Sequence, residues 1–452
     1  MCTGCYNGVV PDCCAHDLAV VIDDPTARGI ATAITTRIRD GHLVPGDRLP
    51  TVRALAVALA TSPTTVHAAW RILARGGTID SRGRSGTFVR AERRRGAAQR
   101  YNSVVGEIGS RLDLATGVPD PDLLPEVRRA LAQVSRRTLT TTYLDQPILP
   151  RLEELLAESW PFVPERFTMV DGALDALDRV CAAVVRTGDR VLVEDPGFPP
   201  LFDLIEQLGG VPVGVAVDDE GMIPMALAAA LRVHPVAIII QPRAQNPFGS
   251  SLSAERLSVL AALIKPGTAL VVEDDHSGDI AWFPTLSMGT YLPQRTVHIR
   301  SFSKSHGPDL RLAAIGGAGA VVDEVVDRRR LGPGWSSRLL QAVLVEMLRD
   351  PHTVATVGAA RQEYHRRRVT LAALLHDRGL VTHGVDGINL WLDVADEHTA
   401  QVMLTVAGVG VAPGAAFWLG VPAVSGNLRI TLNYDGDRLE WLADALAAAG
   451  QP

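Results

Sequence analysis

Residues 296–311 read TVHIRSFSKSHGPDLR, and residues 269–276 read ALVVEDDH. Each opens on an apolar, β-branched run and then breaks into polar residues, the pattern of a strand that ends in a chemically loaded turn. Residues 237–249, AIIIQPRAQNPFG, repeat the pattern. Working outward, strand-like runs at 190–194, 211–217, 236–241, 269–273, 296–300 and 312–316 alternate with helix-period stretches such as 173–186 and 253–264. The alternation predicts an α/β domain with a mainly parallel sheet. Such sheets bind ligands beyond the carboxyl ends of their strands. Asn246, Asp274 and Lys304 all fall at those ends.

Lys304 stands out by composition. Lys304 and Lys265 are the only lysines among 44 basic residues, the rest being arginine. A lysine between two serines, in a chain that otherwise uses arginine, points to a need for an amine. An amine that can form a Schiff base, a carboxylate for a pyridinium nitrogen and a polar donor for a ring oxygen together suit pyridoxal 5'-phosphate (PLP). Lys304 is the candidate catalytic residue.

The N-terminal part reads differently. Ile30, Ile34 and Ile38 stand four apart, one stripe of an amphipathic helix. Thr51 is placed to cap a second helix with Val52, Leu55, Ala56 and Leu59 on one face. Ser62, with Pro63 behind it, caps a third with Val66, Trp70 and Leu73 inward. The short gap between these two helices is helix-turn-helix spacing. Two extended pieces then flank Arg82–Gly86 and end at 87–89, a hairpin with two arginines at its tip. A third helix for the major groove and a basic hairpin for the backbone make a winged helix-turn-helix that binds DNA.

Residues 25–90, with PGDRLPTVRALA, SPTTVHAAW and SRGRSGTFV, resemble the GntR-type winged helix. The resemblance implies DNA contacts from Arg48, Arg53, Thr64, Thr65, His67 and Arg71, and a wing of Arg82, Arg84 and Gly86. Residues 112 to about 447 resemble fold-type I aminotransferases, and the order of the two modules resembles the MocR family of GntR regulators. That resemblance makes Lys304 the Schiff-base lysine, Asp274 the partner of the pyridine nitrogen and Asn246 a donor to the phenolic oxygen. Phe198, in EDPGFPP, would stack on the ring. Ser301, Ser303 and Arg311 would hold the phosphate, helped by the amides of Gly172 and Ala173. Tyr143 matches a tyrosine that reaches the neighbouring subunit's phosphate, which implies a homodimer. Arg429, in NLRITL, matches the arginine that clamps an amino-acid α-carboxylate. His276 stands where many relatives carry a tyrosine near the ring oxygen, and an imidazole is expected to donate there. Ala173 and Leu174 replace the usual polar residues of the phosphate loop, and YLDQPILPRLEELL departs from the family's DPxGxPxLR pattern.

Two functional classes are compatible with this reading. One is a transcriptional regulator with PLP and an amino-acid or amine effector. The other is a working PLP-dependent aminotransferase or lyase with a residual winged helix.

The 452 residues exceed one ordinary core. With 47% hydrophobic and 21% charged residues and a net charge of −6, the composition is globular, with a basic segment at 71–100 on an acidic chain. No apolar run reaches the ~18 residues of a membrane span, and a cytoplasmic location is expected. Cys2 and Cys5 have zinc-like spacing, but Cys13 and Cys14 are adjacent, which strains tetrahedral coordination. Residues 1–24 are therefore read as a disordered leader with no metal. Residues 91–111 read as a flexible linker spanning roughly 25 Å, and 112–452 as the PLP-binding domain.

Overall fold

The computed structural model describes residues 15–39, 42–44, 46–75, 79–81, 86–89, 100, 111–136, 146–420, 426–434 and 436–451. The chain divides into two compact units, residues 1–97 and 98–452.

In the first unit, α1 (Ala15–Ala19), α2 (Ala27–Arg39), α3 (Val52–Ala58) and α4 (Pro63–Arg75) accompany a small antiparallel sheet whose first strand lies between α2 and α3. That sheet has the order β1 (Arg48–Leu49), β3 (Thr87–Val89), β2 (Ile79–Ser81). Both helix starts follow the expected chemistry. Thr51 Oγ1 accepts from the Ala54 amide at 3.2 Å, and Ser62 Oγ from the Thr65 amide at 3.0 Å. Ile30, Ile34, Leu55, Val66, Trp70 and Leu73 form the core. The disordered-leader expectation is corrected for residues 15–24. Leu18, at 1% exposure, and Ile22 belong to the same core, because a three-helix module this small leaves apolar surface that α1 covers. Residues 1–14, with the four leader cysteines, lie outside the described residues.

The second unit is built on an eight-stranded sheet: β5 (Arg166–Val170), β12 (Ala313–Gly317), β11 (Thr296–Ser301), β10 (Leu270–Asp275), β9 (Ala237–Ile240), β6 (Arg190–Asp195), β7 (Val211–Asp218) and β8 (Gly221–Met222), in that order. Strand pairs from β11 to β7 are parallel, and β12 runs antiparallel to both neighbours. β12 follows β11 through residues 302–312 with no α-helix between, too little chain for a parallel crossover. Side chains alternate between two apolar layers. Val191, Val193, Ile239 and Val272 face one, and Leu192, Ile238, Ile240 and Val271 the other. Burial on both faces explains the continuous hydrophobic runs.

β4 (Leu112–Asp113) pairs with β15 (Val409–Gly410). A second sheet of order β13 (Thr382–His383), β14 (Asn389–Asp393), β17 (Asn427–Thr431), β16 (Ala412–Pro413) packs with the long helix Pro351–Asp377. Near the start of this unit, Arg100 is ion-paired to Asp203 and Glu206 of the helix Pro199–Gln207, at 2.8 and 3.2 Å. The stretch read as a linker is thus held to this unit at residue 100; residues 91–99 and 101–110 lie outside the described residues. Among the described residues no helix is long and apolar enough to cross a membrane.

Candidate functional site

The register of β5, β12 and β11 brings three chain segments to one sheet end. Ala313 pairs with Val170 on one side and Ser301 on the other, so Asp171–Gly172, Ser301 and Arg311 become neighbours. The helix Ala173–Val184 starts there with Gly172 as its cap and no side chain occupying its first amides, an anion-binding arrangement. Gly172 has φ +104, and a Cβ at this position would lie 3.1 Å from the Arg311 guanidinium. Glycine is needed here for both conformation and space. Arg311 Nη2 donates to the Asp171 carbonyl at 3.1 Å. Ser303 is half-buried, and its amide donates to Ser301 Oγ at 3.3 Å.

Asp274 lies inside β10 rather than after it, buried, with its Oδ2 accepting from Gln241 Nε2 at 2.7 Å. Its Oδ1 is buried with no partner among the described residues. Burial raises the Asp274 carboxyl to about 6, against the pull of Gln241 and Lys304. Gln241 also accepts from the Asn246 amide at 2.7 Å, orienting both residues. The sequence reading took Gln241 as a strand end and missed it; a lone polar residue closing an apolar run was the available signal.

Burial lowers Lys304 to about 7, with Asp274 opposing and Arg429 reinforcing the shift. Its Nζ lies 2.5 Å from His276 Nδ1. His276 Nε2 is 2.9 Å from the Ala244 carbonyl oxygen. A carbonyl can only accept, so Nε2 carries the hydrogen and Nδ1 presents its lone pair to Lys304. Burial holds the imidazole well below its ordinary value, so it is neutral near pH 7. In this arrangement His276 Nδ1 accepts from Lys304, while Nε2, the nitrogen that can donate, is engaged by the Ala244 carbonyl.

Asn246 is left as the donor. Its Oδ1 accepts from Arg429 Nη1 at 3.1 Å, which leaves Nδ2 to donate. Arg429 is buried on β17, donates to the Ala115 carbonyl and stands 5.0 Å from the Phe417 ring. Burial lowers it to about 10, so it remains a cation near neutrality. Phe198 follows β6 as the half-buried cap of the helix Pro199–Gln207. Tyr143 lies outside the described residues.

The donor set fits PLP. The open carboxylate oxygen of Asp274 suits a pyridinium N–H, Asn246 Nδ2 a phenolic oxygen, Lys304 an aldehyde carbon, and the Gly172–Arg311 cradle a phosphate.

On the first unit, Thr64, His67 and Arg71 are exposed at helical spacing on α4, and Arg53 is exposed on α3. Thr65 is half-buried with its hydroxyl 2.8 Å from Ser62 Oγ, so capping already engages it. Gly86 has φ +112, and a Cβ there would approach Arg48 Nε to 2.7 Å. Arg82 and Arg84 lie outside the described residues.

Two family models match the chain: "Aminotransferase class I and II" over residues 110–446, and "Bacterial regulatory proteins, gntR family" over residues 26–89. The chain belongs to the MocR-type regulators, a GntR helix-turn-helix joined to an aminotransferase class I and II domain. It is 36% identical over 424 residues to the vitamin B6 salvage pathway transcriptional repressor PtsJ of Salmonella typhimurium, covering 91% of this chain and 95% of that protein. It is 25% identical over 456 residues to the pyridoxine biosynthesis transcriptional regulator PdxR of Corynebacterium glutamicum, covering 96% and 98%. The α-aminoadipate aminotransferase LysN of Thermus thermophilus shares the fold of the large domain, at 20% identity and a TM-score of 0.70 over 78% of this chain and 94% of that one.

Proposed function

We propose that this protein is a DNA-binding transcriptional regulator whose large domain holds PLP. DNA affinity would respond to the cofactor, or to an amino acid or amine that engages the site. The observation that carries the reading is the partnerless, buried Asp274 Oδ1, at the same sheet end as Lys304, Asn246 Nδ2 and the Gly172–Arg311 cradle. A buried carboxylate oxygen without a donor costs about 1–3 kcal/mol or more, so it marks a place kept for one. When bound, PLP supplies an aldehyde that condenses with amines and a ring that withdraws electrons.

The chain's own residues account for the rest. Asp274 holds the proton on the ring nitrogen. Asn246, oriented by Arg429 and Gln241, fixes the phenolic oxygen. Lys304 is a ready nucleophile near neutrality, because burial keeps much of it unprotonated, and His276 Nδ1 holds its amine by a hydrogen bond. Arg429 gives the carboxylate of an amino-acid effector a buried cation. Phe198, Ser301 and Ser303 complete the proposed contacts to ring and phosphate, and Tyr143 would reach a phosphate across a homodimer. Thr64, His67 and Arg71 on α4, together with Arg48, Arg53, Arg82, Arg84 and Gly86, form the proposed DNA face. The relatives' names favour a regulator that responds to the supply of vitamin B6, and a cytoplasmic location goes with that role.

The Lys304–Asp274–Arg429 set is also what an aminotransferase needs. One pair of measurements separates the two readings: binding to the DNA upstream of its own gene with and without PLP, and multiple-turnover assays with amino donors. PLP-dependent binding without turnover supports the regulator. Turnover without specific DNA binding overturns it.

A further inference from the structure

The sheet end that carries the candidate cofactor site has a second face. β10 and β11 pair in parallel, with Glu273 opposite His298 and Asp275 opposite Arg300. Strand side chains alternate, so these four point away from Asp274 and Ser301. On that far side lies a cavity of about 430 Å³, lined among others by Arg243, Asp275, Asp279, Trp282, Arg300 and Arg361.

Its charges do not cancel. Arg243 spends Nε and Nη2 on Asp275, at 2.9 and 2.7 Å, and Nη1 on the Phe283 carbonyl at 3.1 Å. Arg300 takes the Asp279 carboxylate at 2.7 Å and Ser159 Oγ at 2.8 Å. Arg361, from the helix Pro351–Asp377, donates only to the Asp279 backbone carbonyl, at 2.9 Å from Nε and 2.6 Å from Nη2. No described carboxylate lies within ion-pair distance of it, and its Nη1 is uncommitted. A half-buried guanidinium with a free edge is a site for an anion.

A second observation also points to a ligand. His298 is buried, with Nδ1 2.9 Å from Glu273 Oε2. That carboxylate also accepts from Ser287 Oγ and the Met288 amide, both at 2.6 Å. His298 Nε2 has no partner among the described residues, with Asp275 Oδ2 3.8 Å away. The floor of the cavity therefore keeps an unmet polar group. The wall is aromatic: Trp282 is 44% exposed yet held flat on His365, with ring centroids 3.9 Å apart.

We infer that this cavity is a second ligand site, for a small organic anion that carries a carboxylate or phosphate on a planar ring. Arg361 and Arg300 take the anionic group and Trp282 takes the ring. The site is separate from the Lys304 site, because adjacent residues of the same two strands serve opposite faces.

Equilibrium dialysis of phenyl phosphate against the full-length protein, in phosphate-free buffer, tests this; inorganic phosphate and benzoate serve as parallel probes. Saturable binding of one phenyl phosphate per chain is expected, and it should survive Arg311→Ala, which disables the other phosphate cradle. Arg361→Gln keeps a donor for the Asp279 carbonyl but loses the charge, and should weaken binding at least about tenfold. Arg361→Lys should keep most of it. Trp282→Leu should weaken phenyl phosphate and benzoate while leaving inorganic phosphate unchanged. The inference is overturned by an absence of saturable binding at millimolar probe, by loss in Arg311→Ala, or by wild-type affinity in a folded Arg361→Gln. Should Arg361→Gln fail to fold, loss of binding in Arg361→Lys, or an equal effect of Trp282→Leu on all three probes, overturns it.

Discussion

Lys304 Nζ and His276 Nδ1 lie 2.5 Å apart, and the Ala244 carbonyl decides which of them gives the proton. With Nε2–H committed to that carbonyl, the imidazole can only accept on the lysine side. Where the resembling family often carries a tyrosine hydroxyl, this chain places a hydrogen-bond acceptor. His276→Phe removes the acceptor and leaves the ammonium less stabilised, so the pH midpoint for reaction of Lys304 with PLP should fall by about one unit. Absorbance-monitored PLP binding against pH measures it; an unchanged midpoint removes His276 from this role. Lys304→Ala should stay folded and lose the borohydride-reducible PLP adduct, checked by peptide mass spectrometry.

Asp274 ties cofactor affinity to stability. Its carboxyl is raised to about 6 from an ordinary 3.8, so the folded state disfavours the charged form. For a raised carboxyl, the cost is absent below pH 3.8, grows as pH rises and is complete above about 6. Asp274→Asn should therefore stabilise the PLP-free protein above pH 6 by on the order of 3 kcal/mol and leave it nearly unchanged near pH 4. The same variant should bind PLP far more weakly. Denaturant melts at both pH values and a PLP titration are the measurements.

The proposed DNA face separates positioning from reading. Arg53→Ala and Arg84→Ala should weaken binding to all sequences and each lower the slope of log affinity against log salt by about 1. His67→Ala or Thr64→Ala should alter sequence preference, whereas Thr65→Ala should act chiefly on stability, through the Ser62 cap that its hydroxyl meets. Fluorescence anisotropy with matched and scrambled duplexes over a salt series distinguishes the three outcomes.

The first described helix makes a further expectation. Leu18 is buried in the winged-helix core, so Leu18→Ala should destabilise that unit by about 2–4 kcal/mol. DNA affinity should fall in parallel at 37 °C. A variant with unchanged denaturant midpoints would show that α1 contributes nothing to this core.

Assembly is testable on the full chain. If Tyr143 serves a partner's phosphate, sedimentation should give a dimer at micromolar protein, and paired DNA half-sites should bind more tightly than one. A PLP-saturated monomer would remove both expectations.

Much was legible in local sequence because local physics sets it. Thr51 and Ser62 cap helices through amides three residues away, and Lys304 stood out as one of two lysines. The order of strand-like runs, each ending in a polar turn, was sufficient for the α/β class and singled out Asp274, Asn246 and Lys304 as candidates. The antiparallel β12, the C-terminal sheet and the packing of Leu18 were not visible, since each depends on which distant surface is available to be covered.

The tautomer of His276 was set by a carbonyl 32 residues away in sequence, and the Asn246 amide was oriented by an arginine 183 residues away. Residue types able to do the chemistry, and the local elements that carry them, are written in the order of the chain. Only the tertiary structure decided who donates, who accepts and what stays unpaired, because hydrogen bonds and burial are settled by neighbours in space and strand alternation alone does not name them. It is also what separated Asp274 from Asp275: one peptide unit sends the first to the candidate cofactor face and the second to the arginine-lined cavity behind it.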